Sequence, residues 1–456
     1  MTYSTLSCLA LLALLSGDVQ GDSKPDVVTD LRTRKTGSDW PVFLGMHGDS
    51  RSSETGILKT WPKKGLPRRW TRKLGTSYGM PTISRGRLFQ YSRFGDSARL
   101  TCMKSETGEE IWQFEHPTNY RDLYGYNNGP RSSPTVDDDR VYMLGVGGML
   151  HCVKVMSGQK VWGVDTTKKF GVVQNFFGVG TNPIVEGDLL IVPVGGSPPN
   201  SPPVHSRPPG NGTGIVAFNK HTGDVVYKIT DELASYSSPV ARTIDGRRWC
   251  FVFARGGLVG FEPSKGAVDF QYPWRSRKIE SVNASNPVVV GDQVFISECY
   301  GIGSSLLRVK PGGYDLVWRD QKELRSWAMK THWNTSIHHE GYLYGSSGRH
   351  SANAELRCVE LKTGKVKWSE PRLDRSSLLY VDGHFVCLTE YGDLFLLRAT
   401  PEKFDRVASF QTPLTADNGR PLLEYPAWAA PILSHGLLYV RGKDYLVCLE
   451  LIPGKS

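Results

Sequence analysis

Ser133-Pro134-Thr135-Val136, followed by Val141-Tyr142, Gly147-Gly148, Leu150-His151-Cys152-Val153, Ser157-Gly158 and Val161-Trp162, is one copy of a motif that recurs from near residue 79 to the C-terminus. Each copy holds four short runs of alternating polarity separated by turn residues. A unit of that kind cannot bury its apolar face alone and must stack on its neighbours. Four short strands per unit describe one blade of a β-propeller. The fold expected is all-β.

Working outward, further copies open at Met80-Pro81, Asn182-Pro183, Ser238-Pro239, Asn286-Pro287, Thr335-Ser336, Ser376-Ser377 and Ala430-Pro431. Most close on an aromatic residue: Trp112, Trp162, Tyr227, Phe270, Trp318 or Trp368. The copy opening at Ser376 has a degenerate last turn and ends at Phe410. The last copy stops at Cys448-Leu449-Glu450-Leu451, before any closing strand. Leu66-Pro67-Arg68-Arg69-Trp70-Thr71-Arg72-Lys73-Leu74, near the other end, reads as a closing strand without the three before it. Pairing the two completes an eighth blade and removes the open edges of the ring. The expectation is eight four-stranded antiparallel blades, closed by the N-terminal strand. The long interval between Trp162 and Tyr227 carries a proline-rich insertion, Ser197 to Gly212, expected as a solvated loop.

Within the repeat, the Thr-Gly or Ser-Gly pair supplies a positive φ to the last hairpin, and the closing aromatic packs between blades. Proline suits the first residue of a strand, where no ladder donor is needed. These positions are scaffold. Cys102, Cys152, Cys358 and Cys448 share one repeat position, which marks them as packing residues and not ligands. With no CxxC and no adjacent cysteines, neither a zinc site nor a dense disulfide framework is expected.

Residues 1–21 resemble a secretory signal peptide, with an apolar run from Leu6 to Leu15, although no Lys or Arg precedes it. Residues 22–38 are expected as a disordered leader, and residues 39–456 as a single propeller domain in which 66–74 completes the last blade. An exported location follows: periplasmic, envelope-associated or extracellular. No later stretch is apolar enough to span a bilayer. The net charge of +10 is spread through every blade and accompanies no nucleic-acid motif.

In a propeller, ligands meet the channel mouth, lined by the loops that lead into each first strand. Aligned repeats place Arg131, Asn182, Tyr236, Asn283, His332, Arg375 and Trp428 just ahead of those strands. Together they would suit a flat, anionic ligand, by stacking and charge-assisted hydrogen bonds. No catalytic residue and no metal ligand is assigned. His338-His339-Glu340 aligns with a first-strand turn and reads as a hydrated turn. The Asn-x-Ser/Thr sequences at Asn211, Asn283 and Asn334 matter only where an exported chain is glycosylated.

The run Cys358-Val359-Glu360-Leu361-Lys362-Thr363-Gly364-Lys365-Val366-Lys367-Trp368 resembles the pyrroloquinoline-quinone-type propeller repeat almost position for position, and the likeness covers about residues 66–451. The lead-in Asp39-Trp40-Pro41, Glu54-Thr55-Gly56 and Trp61-Pro62 is similar to that of planctomycete-type secreted propellers, departing at Leu44 and Met46, where an arginine and a proline are common. One branch of the superfamily, the quinoprotein dehydrogenases, binds the quinone and calcium over the mouth, often with an adjacent-cysteine disulfide and a tryptophan-docking ring. The other is similar to the BamB-type assembly factor, an eight-bladed scaffold without cofactor. Length and the missing cysteine pair favour the second. The resemblance implies a non-catalytic scaffold that binds a protein or extended ligand through mouth loops or blade edges. Its partners would be envelope or secreted proteins, or an anionic ligand. The alternative is a quinone-dependent alcohol or sugar dehydrogenase, which alone would call for the quinone and calcium.

Overall fold

The computed structural model describes residues 27–320, 327–410 and 413–454. The signal-peptide segment lies outside them.

Eight four-stranded antiparallel sheets form the ring. In chain order the blades span Thr82–Pro117, Thr135–Asp165, Ile184–Ile229, Val240–Pro273, Val288–Arg319, Ile337–Pro371 and Ser376–Ser409. The eighth is built from Ile432–Ser434, Leu437–Arg441 and Tyr445–Glu450, with Arg68–Lys73 as its outer strand. Trp70 stands opposite Cys448 in that closing pair. The same cross-strand partnership recurs as Trp112 with Cys102, Trp162 with Cys152 and Trp368 with Cys358. A bulge follows each of the last three pairs, which fixes where the closing hairpin turns. All seven described cysteines are buried and free.

The closing aromatics join blade to blade. Trp112 Nε1 donates to Val155 O at 3.0 Å, Trp162 Nε1 to Lys220 O at 3.0 Å, Trp318 Nε1 to Leu361 O at 2.8 Å and Trp368 Nε1 to Thr400 O at 3.0 Å. Trp70 Nε1 reaches Ser105 O, and Tyr227 Oη reaches Pro263 O. Each acceptor belongs to the next blade. Several of these rings lie flat against the turn glycine of that blade: a Cβ on Gly158 would come within 2.5 Å of Trp112, and one on Gly223 within 2.8 Å of Trp162. The motif glycine therefore serves two needs, a left-handed φ and room for the neighbour's ring. A tryptophan-docking ring is thus present here, and it does not separate this chain from the dehydrogenase branch.

A second belt runs around the channel through the residues that precede each first strand. Met80 N–H donates to Ser133 Oγ, Ser133 N–H to Asn182 Oδ1, Asn182 N–H to Ser238 Oγ, Ser238 N–H to Asn286 Oδ1 and Asn286 N–H to Thr335 Oγ1. In the second to sixth blades the Ser, Asn or Thr satisfies the buried backbone donor of the blade before it.

Residues 27–38, expected as a disordered leader, contain no helix or strand yet make specific contacts. Thr33 and Arg34 donate backbone N–H groups to Glu106, and Arg34 pairs with Glu450 at 2.7 Å. Residues 40–58 then cross the channel. Trp40 exchanges backbone hydrogen bonds with Ile83, Pro41 O accepts from Val136 N–H, and Arg242 reaches His47 O. Ser50 and Ser52 bracket Tyr380, Arg51 reaches His338 O, and Leu58 N–H bonds Leu451 O. These contacts lie near the first-strand turns, so the segment closes the end of the channel opposite the candidate mouth. The proline-rich insertion is anchored at Val204, 3% exposed in the short 3₁₀ turn Val204–Ser206.

Candidate functional site at the channel mouth

The open end of the channel holds a cavity of about 370 Å³. Its floor is Phe43, Leu44 and Ser50 of the crossing segment. Strand register shows which residues form its rim. The first-strand turn is closed by Ser84 with Arg87, Asp137 with Arg140, Glu186 with Leu189, Val290 with Gln293, His339 with Tyr342, Val381 with His384 and Ser434 with Leu437. Counting back equally from those turns, and from the Ser238 belt position in the fourth blade, gives one residue per blade: Tyr78, Arg131, Gly180, Tyr236, Ala284, Trp333, Arg375 and Trp428. All eight line the cavity.

Four of these, Arg131, Tyr236, Arg375 and Trp428, are residues that the sequence singled out. His332 also borders the cavity, but the ring position belongs to its neighbour Trp333. Asn182 touches the cavity, but its side chain is committed to the belt, donating to Ser238 Oγ at 2.7 Å. Asn283 does not reach it: fully buried, it donates to Ala254 O and Trp274 O. Gly180 and Ala284 hold the equivalent positions. The sequence alignment slipped by one or two residues in these loops because their lengths differ ahead of the first strand. Tyr78 was missed because its loop precedes the first full repeat. Asn283 and Asn334 are both buried in the folded chain, so neither sequon is presented.

The rim is lopsided. Trp333, Arg375, Trp428, Tyr78 and Arg131 form one thick wall; opposite, Tyr236 and Arg131 fill the space at Gly180, and the small side chain of Ala284 leaves the gap. Trp428 packs on Tyr78 with ring centroids 4.7 Å apart and on Trp333 at 4.6 Å. The Arg375 guanidinium lies 4.5 Å from the Trp333 ring and is held at both Glu390 oxygens, at 2.9 and 2.6 Å. Glu390, fully buried, also accepts from Ser351 Oγ and Trp428 Nε1. Burial would raise its carboxyl, but the Arg375, Ser351 and Trp428 donors outweigh it and keep Glu390 below the usual range. Arg131 pairs with the buried Asp122, and Arg349 with Glu280 at 3.2 Å.

Burial, with the charges of Arg375 and Arg349, drives His332 down to about 3. That imidazole is neutral and a weak base at pH 7. Among the described residues no Asp or Glu lines the cavity. Among the described residues no group of His, Cys, Asp and Glu is arranged to hold a metal. The two asparagines on the wall are already spent, Asn182 as above and Asn334 on Ser376 O and the His332 N–H. Calcium takes six to eight oxygen ligands, usually several carboxylates. The donors of this mouth do not fit it.

The family model described as "Outer membrane protein assembly factor BamB" matches residues 63–196 and 96–370. The chain belongs to this family of PQQ-like propellers. Among solved structures, BamB from Moraxella catarrhalis is similar at 14% identity and a TM-score of 0.56, over 84% of this chain and 97% of that one. The quinohemoprotein alcohol dehydrogenase from Comamonas testosteroni is similar at 11% identity and a TM-score of 0.63, over 92% of this chain and 81% of that one. The computationally designed Ika8 protein follows at 9% identity and a TM-score of 0.52, over 84% of this chain and 99% of that one. No curated protein matches the chain in sequence. At these identities the structural likeness speaks to the fold alone.

Proposed function

We propose that this chain is an exported, non-catalytic propeller that uses the rim of its channel mouth to hold a segment of a partner protein. The observation that carries the reading is the ring of one residue per blade. It consists of aromatic faces and arginines already paired with carboxylates, and leaves an open side at Ala284. Such a wall stacks and donates hydrogen bonds. It offers no carboxylate free to move a proton, and His332 is too weak a base for general-base work near neutral pH. The family description, an outer membrane protein assembly factor, agrees with a protein partner in the envelope.

The test fills the open side. Ala284→Trp and the unaltered protein are used in parallel to recover partners from envelope extract. Partners retained by the unaltered protein and lost with Ala284→Trp support the mouth as the binding site. Equal recovery with both, or none with either, refutes it. The quinone reading has its own assay: incubation with pyrroloquinoline quinone and Ca²⁺, then dialysis. A retained chromophore with dye-linked alcohol oxidation would overturn the scaffold reading.

A further inference from the structure

Behind Phe176, on the side of the mouth away from the aromatic wall, lies a group whose charge is not met. Arg255 follows the second strand of the fourth blade, Arg247–Phe253, and is 2% exposed. Its Nε has no hydrogen-bond partner, and its Nη2 makes a single long contact with Ile279 O at 3.4 Å. The guanidinium lies 5.0 Å from the ring of Phe176. It borders a separate cavity of about 420 Å³ whose lining includes Arg121, Asn175 and Ser235 and, among the described residues, no Asp or Glu.

The positive charges of two more arginines act on it. Arg275 has its Nε and Nη2 buried without partners. The charge of Arg207 is felt by both Arg255 and Arg275. The carboxylate nearby, Glu232, accepts from Gly256 N–H at 2.8 Å, and among the described residues it forms no ion pair with any of the three. Burial, reinforced by Arg275, pulls the Arg255 guanidinium down to about 10. The arginines of the mouth are built differently, since Arg131, Arg349 and Arg375 each have a carboxylate. Arg87 and Arg441 are also deeply buried with free donors, but neither lines either of these cavities. Burying a cation is costly unless an opposite charge meets it; the charge of Glu232 is felt by Arg275, but among the described residues no carboxylate pairs with Arg255.

We propose that Arg255 forms an oxyanion site in this side cavity that takes a carboxylate or phosphate group, with the positive charges of Arg275 and Arg207 adding to its pull. The guanidinium fork presents two parallel donors to two oxygens of such a group. The anion is either a free small oxyanion or the acidic side chain of a bound polypeptide. This site is independent of the mouth reading, so either can fail alone.

The experiment follows thermal unfolding of the full chain at constant ionic strength. Inorganic phosphate and N-acetylglutamate amide are titrated separately against a sodium chloride control. A saturable rise in Tm with phosphate alone identifies a free oxyanion, and a rise with the glutamate amide identifies an acidic side chain. Arg255→Met and Arg275→Met should each weaken the responding anion about tenfold or more, the scale of a lost charge-assisted hydrogen bond. Arg308→Met, on the outer surface of the fifth blade, should leave it unchanged. The proposal is overturned if neither anion exceeds chloride, or if both variants respond like the unaltered protein. Should Arg255→Met fail to fold, the titration and Arg275→Met still decide the matter.

Discussion

Gly158→Ala and Gly246→Ala isolate the docking of one blade on the next. The two glycines have nearly the same backbone conformation, φ +71 and +76, in blade hairpins. Placing an alanine in that left-handed region costs about 1–2 kcal/mol at either site. The surroundings differ. A Cβ at Gly246 meets nothing within 4 Å, whereas one at Gly158 falls 2.5 Å from Trp112 Cε3 and 2.9 Å from two further ring carbons. The indole must tilt away, which strains the packing by about 1–3 kcal/mol. It then also loses its 3.0 Å bond to Val155 O, about 1 kcal/mol. Gly158→Ala should therefore destabilise by about 2–4 kcal/mol more than Gly246→Ala. Urea unfolding followed by far-UV circular dichroism measures the gap through the midpoints, provided the slopes match. On a Trp112→Leu background the gap should shrink, since the ring that collides is gone. Equal midpoints for the two alanine variants, or a gap unchanged by Trp112→Leu, would refute the docking account.

Three further outcomes are expected. Glu390→Gln leaves the Arg375 guanidinium without its counter-charge beside Trp333 and should cost about 3 kcal/mol in equilibrium unfolding; a variant as stable as the parent would show that the pair contributes little. His151 packs on His116 at 4.6 Å, and burial holds it down to about 3 against an ordinary 6.5. The unfolded chain then takes up a proton that the folded chain refuses, so stability is intact above about pH 6.5 and falls as the pH drops toward 3. At pH 5 the loss from this site is about 2 kcal/mol. His151→Phe should flatten the acid slope of Tm, and an unaltered slope would count against the assignment; His332, shifted the same way, keeps it from vanishing. Burial raises the thiols of Cys102, Cys152, Cys358 and Cys387 to about 12. Ellman's reagent should label none of them in the folded protein and all of them in urea, and rapid native labelling would contradict the burial.

The repeat made the blades, their closure through Arg68–Lys73 and the general place of the mouth readable from residues alone, because each is a consequence of periodicity. What periodicity cannot carry is a contact between different copies. The four cysteines at one repeat position were visible as packing residues, yet their partners, the tryptophans of the adjacent strand, emerge only from strand register. The Ser, Asn or Thr before each first strand reads as a lead-in to proline, and its acceptor role depends on the neighbouring blade's backbone. Loop-length differences displaced Asn182, Asn283 and His332 from the ring positions held by Gly180, Ala284 and Trp333. A slip of one or two residues in a loop exchanges a lining side chain for one that bonds the backbone.

The crossing segment was the least legible part, since residues 40–58 repeat nothing. Its physical effect follows from where it bonds. Blades in a ring touch only their neighbours, so contacts between distant blades must come from elsewhere. Residues 40–58 bond the first, second, fourth, sixth, seventh and eighth blades in one continuous run. That run ties the ring across its diameter and places Phe43 and Leu44 under the mouth as an apolar floor. A channel closed in this way admits ligands from one side only. The asymmetry of the rim then sets how they lie, because stacking faces occupy the wall from Trp333 to Arg131 while the free volume lies against Ala284. A bound segment would rest its flat groups on the first wall and thread its bulk through the second. The unpaired guanidinium of Arg255 stands behind Phe176, within reach of that open side and away from the arginines whose charge is already met.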